Sequence, residues 1–167
     1  ELADPMIETA RWLDARHDGL RVVVPLVNAG TRACFEDALG RSAFRAIRER
    51  IVVVDGQSRT AMAAADAVLL ASGTASLEAM LLKKPMVIAY RSNPLTYAIM
   101  VNWLGRNIRF AGLPNLLADR LLVPELMQEH AAAPWLGPPI LASLTHPDAF
   151  EETVSYTHLR AHETVVY

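Results

Sequence analysis

Four short runs in this sequence of 167 residues are almost entirely apolar, and they constrain the fold more than any other feature. They cover residues 21–27, 51–54, 67–71 and 86–90. A strand with one face in water alternates apolar and polar residues, whereas a continuously apolar strand is typical of a parallel sheet covered on both faces. The runs therefore predict strands that are buried between two layers of helices.

The segments between these runs have helical patterns. We predict helices over residues 4–17, 31–50, 58–65 and 75–83. Asp4 is the predicted N-cap of the first helix, and a break is predicted near Gly40 in the second. Strands that alternate with helices through short connections predict an α/β fold with a Rossmann-like, doubly wound parallel sheet. Ligands of such folds bind beyond the carboxyl ends of the strands.

The pattern becomes more helical after residue 90. We predict helices over residues 93–104, 124–130 and 134–144, and a loop over residues 112–117. Residues 153–167 have no clear period and resemble translated sequencing-adapter read-through. We therefore predict a domain over residues 1–145 and a tail over residues 146–167 that is not native from about residue 153.

Composition excludes several classes of protein. An apolar fraction of 52% with 20% charged residues is typical of a globular domain, and the net charge of -2 gives no reason to expect a nucleic-acid partner. Cys34 is the single cysteine, so an internal disulfide is excluded, and its helical context predicts a core position. No apolar run approaches the roughly 20 residues of a membrane span. His158 and His162 are four residues apart, but no third ligand lies nearby, so no metal site is predicted.

The turn after the third apolar run is the strongest functional signal. Its sequence is Ser72-Gly73-Thr74-Ala75-Ser76-Leu77-Glu78. A turn of small residues that leads from a parallel strand into a helix presents free backbone N–H groups, and the helix dipole there favours an anion such as phosphate. If Thr74 is the N-cap, Glu78 lies one position beyond that of a capping-box glutamate. Its carboxylate is then free to bind sugar hydroxyls, so the turn predicts a nucleotide site, with a purely structural turn as the alternative.

Four motifs in fixed order resemble those of lipid-A-disaccharide synthases, which are bacterial glycosyltransferases with two Rossmann-like domains in the GT-B arrangement. They are DGQSRTAM at residues 55–62, LASGTASLEAML at 70–81, KPMVIAYR at 84–91 and LPNLLADR at 113–120. The Ser-Gly-Thr turn alone occurs in many related glycosyltransferases, but its combination with the Leu-Pro-Asn-Leu-Leu motif is narrow. The resemblance covers residues 5–144 and implies the C-terminal, donor-binding half of the GT-B architecture.

The resemblance implies a hexosyltransferase that moves diacylglucosamine from its UDP-activated form onto lipid X, a diacylglucosamine 1-phosphate. The acceptor domain, the general base and one strand of the donor domain would precede this segment. We therefore expect no catalytic residue here, no transfer by this chain alone, and a sheet with unpaired edges. No cofactor and no metal are expected. The resemblance further implies a cytoplasmic protein at the periphery of the inner membrane, and it allows a homodimer of the intact protein.

The resemblance assigns donor binding to particular residues. The predicted UDP contacts are Ser72, Gly73, Thr74, Ala75, Ser76, Glu78, Asn115 and Arg120, and the weaker candidates are Gln57, Arg59, Tyr90 and Arg91. For Asn115 the alternative is a structural turn residue, for Arg120 a solvated charge, and for Gln57 and Arg59 a structural turn. Two other functions remain open: a related UDP-sugar enzyme, such as an epimerase or an N-acetylglucosamine transferase, and a non-catalytic nucleotide-binding module.

Overall fold

The computed structural model describes residues 2–71, 73–92 and 110–147 as alternating helices and strands. The helices are α1 (Ala3–Asp14), α2 (Ala29–Leu39), α3 (Ser58–Ala64), α4 (Gly73–Leu81), α5 (Leu113–Ala118) and α6 (Ala133–Thr145). The strands are β1 (Val22–Leu26), β2 (Ile51–Asp55), β3 (Val68–Leu70), β4 (Met86–Tyr90) and β5 (Glu125–Met127). Short 3-10 turns cover Ser42–Phe44, Ile47–Arg50 and Gln128–His130.

All strand pairs among the described residues are parallel. β1 pairs with β2 from Val22 opposite Ile51 to Leu26 opposite Asp55. The other sheet has the order β3-β4-β5. Parallel neighbours need crossover connections, and helices provide those between β1 and β2, β2 and β3, and β3 and β4. The Rossmann-like α/β fold predicted from the apolar runs is confirmed.

Four strands have an unpaired edge within the part of the chain that the structure describes. β1 and β2 pair there only with each other, and β3 and β5 pair only with β4. Helix α1 nevertheless serves both sheets, because Ile7 lies in the apolar cluster against β1 and β2, while Leu13 lies in the cluster that contains Val87 of β4. The two sheets thus share one helical layer, and the effect of a missing strand on their edges stays a prediction.

The core on the other side of the second sheet lies beneath α3 and α4. It contains Met62, Leu70, Ala79 and Ile88. The strand β4 is buried over four of its five residues, as continuous apolarity predicts. Helices pack on both faces of β4 and exclude water from it. This packing holds the carboxyl end of the strand in place.

Several sequence predictions need correction. The predicted helix over residues 124–130 is wrong, because β5 pairs along the open edge of β4 before a 3-10 turn begins at Gln128. The predicted loop over residues 112–117 is also wrong: α5 begins at Leu113 with Pro114 in its first turn, where a missing N–H costs nothing. The α-helix predicted over residues 31–50 is shorter than expected, because α2 ends at Leu39. Two 3-10 turns follow it, after the break that was predicted near Gly40.

Two predictions for single residues are also wrong. Cys34 is exposed, because α2 turns Phe35, Ala38 and Leu39 to the core and Cys34 away from it. Asp4 lies within the first turn of α1, whose N-cap position is Leu2. The helix predicted over residues 93–104 lies outside the described residues.

Candidate functional site

The register of β3 and β4 sets the geometry of the predicted nucleotide site. Leu70 pairs with Ile88, so the chain after Leu70 and the last residues of β4 reach the same edge of the sheet. Helix α4 begins three residues after Leu70, at Gly73. Tyr90 packs against the same apolar cluster as Ala75 of α4. The structure therefore brings the end of β4 to the start of α4, as parallel pairing predicts.

Helix α4 presents one polar face at this edge. It begins at Gly73, so Thr74 lies in its first turn and not at its N-cap position. Thr74 and Glu78 are both exposed and lie four residues apart, which places them on the same face of the helix. Glu78 forms no ion pair with the described residues, so its carboxylate is accessible to a ligand.

The other predicted residues of the turn differ in what they offer a ligand. Ser76 is fully buried, at 0% exposure, so its side chain points away from solvent. Ala75 is partly buried. Both can meet a ligand only through the backbone, which is the contact that the Ser-Gly-Thr turn predicts. Ser72 lies outside the described residues, and Gly73 is described by its backbone alone.

Tyr90 carries a buried hydroxyl at the end of β4. This hydroxyl has no hydrogen-bond partner within the described chain. Burial, together with the negative charge of Glu125, raises the pKa of the Tyr90 phenol above its ordinary value. The phenol therefore stays neutral and keeps its proton for donation at physiological pH.

Arg91 follows the last residue of β4 and is exposed. Its guanidinium forms no ion pair with any residue that the structure describes. The next residue, Ser92, is held through its backbone: its N–H donates to Gln128 Oε1 at 2.9 Å, and its carbonyl accepts from Gln128 Nε2 at 3.0 Å. The end of β4 thus carries an exposed cation on an anchored backbone.

Asn115 is fully buried and uses its side chain within the protein. Its Oδ1 accepts from the N–H groups of Leu122 and Val123 at 2.6 and 2.9 Å. Its Nδ2 donates to the Val123 carbonyl at 2.8 Å and to Glu125 Oε1 at 2.7 Å. All of the amide's usual hydrogen-bonding capacity is therefore filled. This geometry favours the structural alternative for Asn115. Its predicted contact with the UDP of the sugar donor stays a prediction.

Glu125 binds the backbone of the two residues before α5. Its carboxylate oxygens accept from the N–H groups of Ala111 and Gly112, both at 2.8 Å. A Cβ on Gly112 would lie 2.6 Å from Glu125 Oε1 and 2.6 Å from Ile88 Cδ1, so a larger residue there would have to displace the ends of both side chains. Gly112, Asn115 and Glu125 together hold the Leu-Pro-Asn motif against β4 and β5.

The remaining candidates lie on the surface. Arg120 is exposed after Asp119, whose φ of 50° ends α5 in a left-handed conformation. Gln57 also has a positive φ, 56°, and Arg59 lies in the first turn of α3. None of these three side chains forms an ion pair or hydrogen bond with the described residues of α4 or β4, although α3 and α5 both pack against α4.

An ion pair occupies the carboxyl end of β2 beside Gln57. Arg32 binds Asp55 at 2.8 Å and Glu36 at 2.7 Å. The hydrogen bonds to Glu36 and then to Asp55 raise the pKa of the Arg32 guanidinium further above its ordinary value. Because both carboxylates already compensate this cation, Arg32 is a weaker anion ligand than Arg91.

Glu125 and Gln128 were missed at the sequence level. Both lie in the segment 124–130, for which a helix was predicted. In a helix, two polar residues three positions apart are typical of a solvated face. An interpretation of residues 123–127 as a strand would have placed Glu125 beside the loop before α5. Its signal was the short apolar run around a single acid, directly after the Leu-Pro-Asn motif.

Two further observations concern metals and membranes. Among residues 2–71, 73–92 and 110–147, no three His, Cys, Asp or Glu side chains lie close enough together to hold a metal ion. None of the described helices has both the length and the apolarity to cross a bilayer.

The strands are parallel, helices cover them, and a strand-turn-helix lies at their carboxyl edge. These features define a Rossmann-like domain, a class of domain that binds ligands at this edge. The chain belongs to the lipid-A-disaccharide synthetase family, whose family model matches residues 1–162. The match extends into the tail predicted to be foreign, and the origin of that tail stays a prediction.

Similar proteins share the name lipid-A-disaccharide synthase. The chain is 50% identical to the one from Pseudoalteromonas translucida over 127 residues, covering 76% of this chain and 32% of that protein. It is 46% identical to the one from Xanthomonas euvesicatoria over 149 residues, with coverages of 88% and 33%. It is 43% identical to the one from Xylella fastidiosa over 147 residues, with coverages of 88% and 38%. The chain thus spans about a third of the length of these relatives.

Proposed function

We propose that this chain is the donor-binding part of a glycosyltransferase that makes the lipid A disaccharide precursor. The intact enzyme would transfer diacylglucosamine from its UDP-activated form onto lipid X. The single observation that carries the proposal is the accessible Thr74–Glu78 face of α4 at the carboxyl edge of the sheet, in a chain of this family.

In this proposal, backbone groups and side chains bind different parts of the donor. The N-terminal turn of α4 supplies partial positive charge for the diphosphate. Glu78, one turn further along, accepts from the ribose hydroxyls. Arg91 and Arg120 contribute cations, since UDP leaves with growing negative charge and donors aimed at its oxygens stabilise the transition state. Tyr90 offers its unpartnered hydroxyl as a further donor.

The general base and the acceptor site belong, in this proposal, to the part of the enzyme outside this segment. This chain alone would bind UDP but transfer no sugar. The family membership disfavours an epimerase or an N-acetylglucosamine transferase as the alternative. We further propose that the intact protein contacts the inner membrane peripherally from the cytoplasm and can form a homodimer.

Calorimetric titration of UDP into the folded chain tests the donor site. We expect Glu78→Ala to weaken binding about 10- to 100-fold, because hydrogen bonds to a charged acceptor contribute about 1.5–3 kcal/mol. Glu8→Ala is the matched control, since Glu8 is an exposed glutamate of α1 that forms no ion pair with described residues. A folded chain that binds no UDP, or equal affinities of the parent and Glu78→Ala, would contradict the proposal.

A further inference from the structure

The backbone ladder between β4 and β5 ends at one residue pair. Tyr90 lies opposite Met127, and this is the last pair in register. At the next residue, Gln128, φ is +51°, so the chain leaves the strand direction there. A side chain in this left-handed conformation is strained unless its surroundings compensate, so the turn at Gln128 needs a stabilising contact.

The side-chain amide of Gln128 continues the ladder beyond this point. It accepts from the Ser92 N–H at 2.9 Å and donates to the Ser92 carbonyl at 3.0 Å. These are the two bonds that a paired strand residue would make with a neighbouring backbone. Ser92 therefore stays aligned with the sheet although β5 has already ended.

Arg91 lies between the two attachments. On one side Tyr90 is the last residue in register with β5, and on the other side Ser92 is held by Gln128. The Arg91 backbone is fixed at both neighbours, while its exposed guanidinium has no partner among the described residues. A preorganised backbone lowers the entropy lost when a long side chain binds an anion.

We propose that Gln128 is a positioning residue for donor binding, which acts by fixing the backbone that carries Arg91 towards the diphosphate of a nucleotide. The inference rests on the proposed function, because it assigns Arg91 to that site. It requires both halves of the amide: a carboxylate at this position accepts from the Ser92 N–H but cannot donate to its carbonyl, and the two oxygens repel each other.

A double-mutant cycle tests this coupling. UDP is titrated into the parent chain, Gln128→Ala, Arg91→Ala and the double variant. We expect Gln128→Ala to weaken binding roughly fivefold and to have almost no effect in the Arg91→Ala background, since residues that act through one contact are not additive. Gln128→Glu is expected to fall between the parent and Gln128→Ala.

Ionic strength supplies a readout that a merely structural role would not change. Both Gln128→Ala and Arg91→Ala are expected to flatten the dependence of the UDP dissociation constant on salt, because the first loosens and the second removes the contact between the Arg91 guanidinium and the diphosphate. Arg50→Ala is the matched control: Arg50 is a partly exposed arginine directly before β2, at the opposite edge of the strands, and its loss should leave UDP affinity unchanged.

Each outcome decides the inference. Additive effects in the cycle, or parent-like UDP affinity of Gln128→Ala, would overturn it while Glu78→Ala still weakened binding and upheld the donor site. No binding of UDP by the folded parent would overturn the donor site and the inference together. If Gln128→Ala does not fold by circular dichroism, Gln128→Glu replaces it in the cycle with the same criteria.

Discussion

The Asn115 side chain donates to Glu125 at 2.7 Å, and this bond joins two elements that are separate in sequence. Asn115 lies in α5, and Glu125 is the first residue of β5. Through the same side chains, the turn at Leu122 and Val123 and the backbone before α5 are held together. The Leu-Pro-Asn motif is therefore a folding unit built around a buried amide.

Replacing Asn115 with alanine should destabilise the chain. The N–H groups of Leu122 and Val123 and the carbonyl of Val123 would lose their side-chain partner, and a buried polar group left unpaired costs about 1–3 kcal/mol. We expect the free energy of unfolding in urea to fall by about 3 kcal/mol. Leu116→Ala, at the exposed neighbouring position, is the control and should change it by less than about 1 kcal/mol.

The same variant separates the two roles considered for Asn115. A folded Asn115→Ala chain with parent stability but weakened UDP binding would show that the amide serves the ligand. Loss of stability, with UDP affinity unchanged under conditions where the variant is folded, would establish the structural role.

Gly137 permits the close packing of α6 on α1. A Cβ at this position would clash with the Trp12 indole ring, whose Cε3, Cδ2 and Cζ3 atoms lie against the glycine. We expect Gly137→Ala to reduce the free energy of unfolding by about 1–3 kcal/mol, which is typical of overpacking. Thermal unfolding measures the change, and the cost should shrink in a Trp12→Leu background. An equal cost in both backgrounds would exclude the clash as its cause.

Tyr90→Phe should leave the chain equally stable or more stable. The hydroxyl is buried without a partner among the described residues, so its removal relieves a desolvation cost of about 1 kcal/mol or more. Chemical denaturation measures this change. A clear loss of stability would mean that the phenol has a structural hydrogen bond, and weaker UDP binding by a stable variant would support its role as a donor.

The raised pKa of Tyr90 also predicts a dependence on alkaline pH. The unfolded phenol ionises near its ordinary pKa of about 10, and the folded one ionises higher. The folded state then binds more protons, so stability is unaffected below the unfolded pKa and falls as pH rises through the folded pKa. Tyrosinate absorbance of the parent minus that of Tyr90→Phe should show this late titration. A difference curve centred at or below pH 10 would contradict it.

The open sheet should promote self-association of this chain. Val23 and Val52 lie opposite each other in register and are 49% and 50% exposed, beside the unpaired edge of β1. We expect Val23→Lys to reduce association in sedimentation velocity, because a charge next to an edge opposes strand pairing. Val27→Lys, at an exposed valine just beyond β1, is the control. A monomeric parent with cooperative unfolding would contradict this prediction.

The sequence predicted the strands from β1 to β4 well. β4 is buried on both faces, as its continuous apolarity predicted, and its bounds Met86–Tyr90 are those of the predicted run. The prediction that β1 and β2 are also buried on both faces is wrong, because Val23 and Val52 are about half exposed. β5 could not be predicted in the same way. It contains only Glu125–Met127, and so short a run becomes a strand because the open edge of β4 offers backbone partners. The predicted core position of Cys34 was wrong for a related reason, since a helical pattern alone does not determine which face packs against the core.

By itself, the sequence determined the parallel α/β class, the strand-turn-helix at residues 70–78 and the family. Each of these depends on local pattern or motif spacing. The tertiary structure decided which polar side chains are accessible to a ligand: it left Thr74, Glu78 and Arg91 exposed, and it enclosed Asn115. It also revealed the anchoring by Glu125 and Gln128. Burial and hydrogen-bond partners arise only when distant segments meet, so residue type and spacing could not distinguish a ligand contact from a structural one.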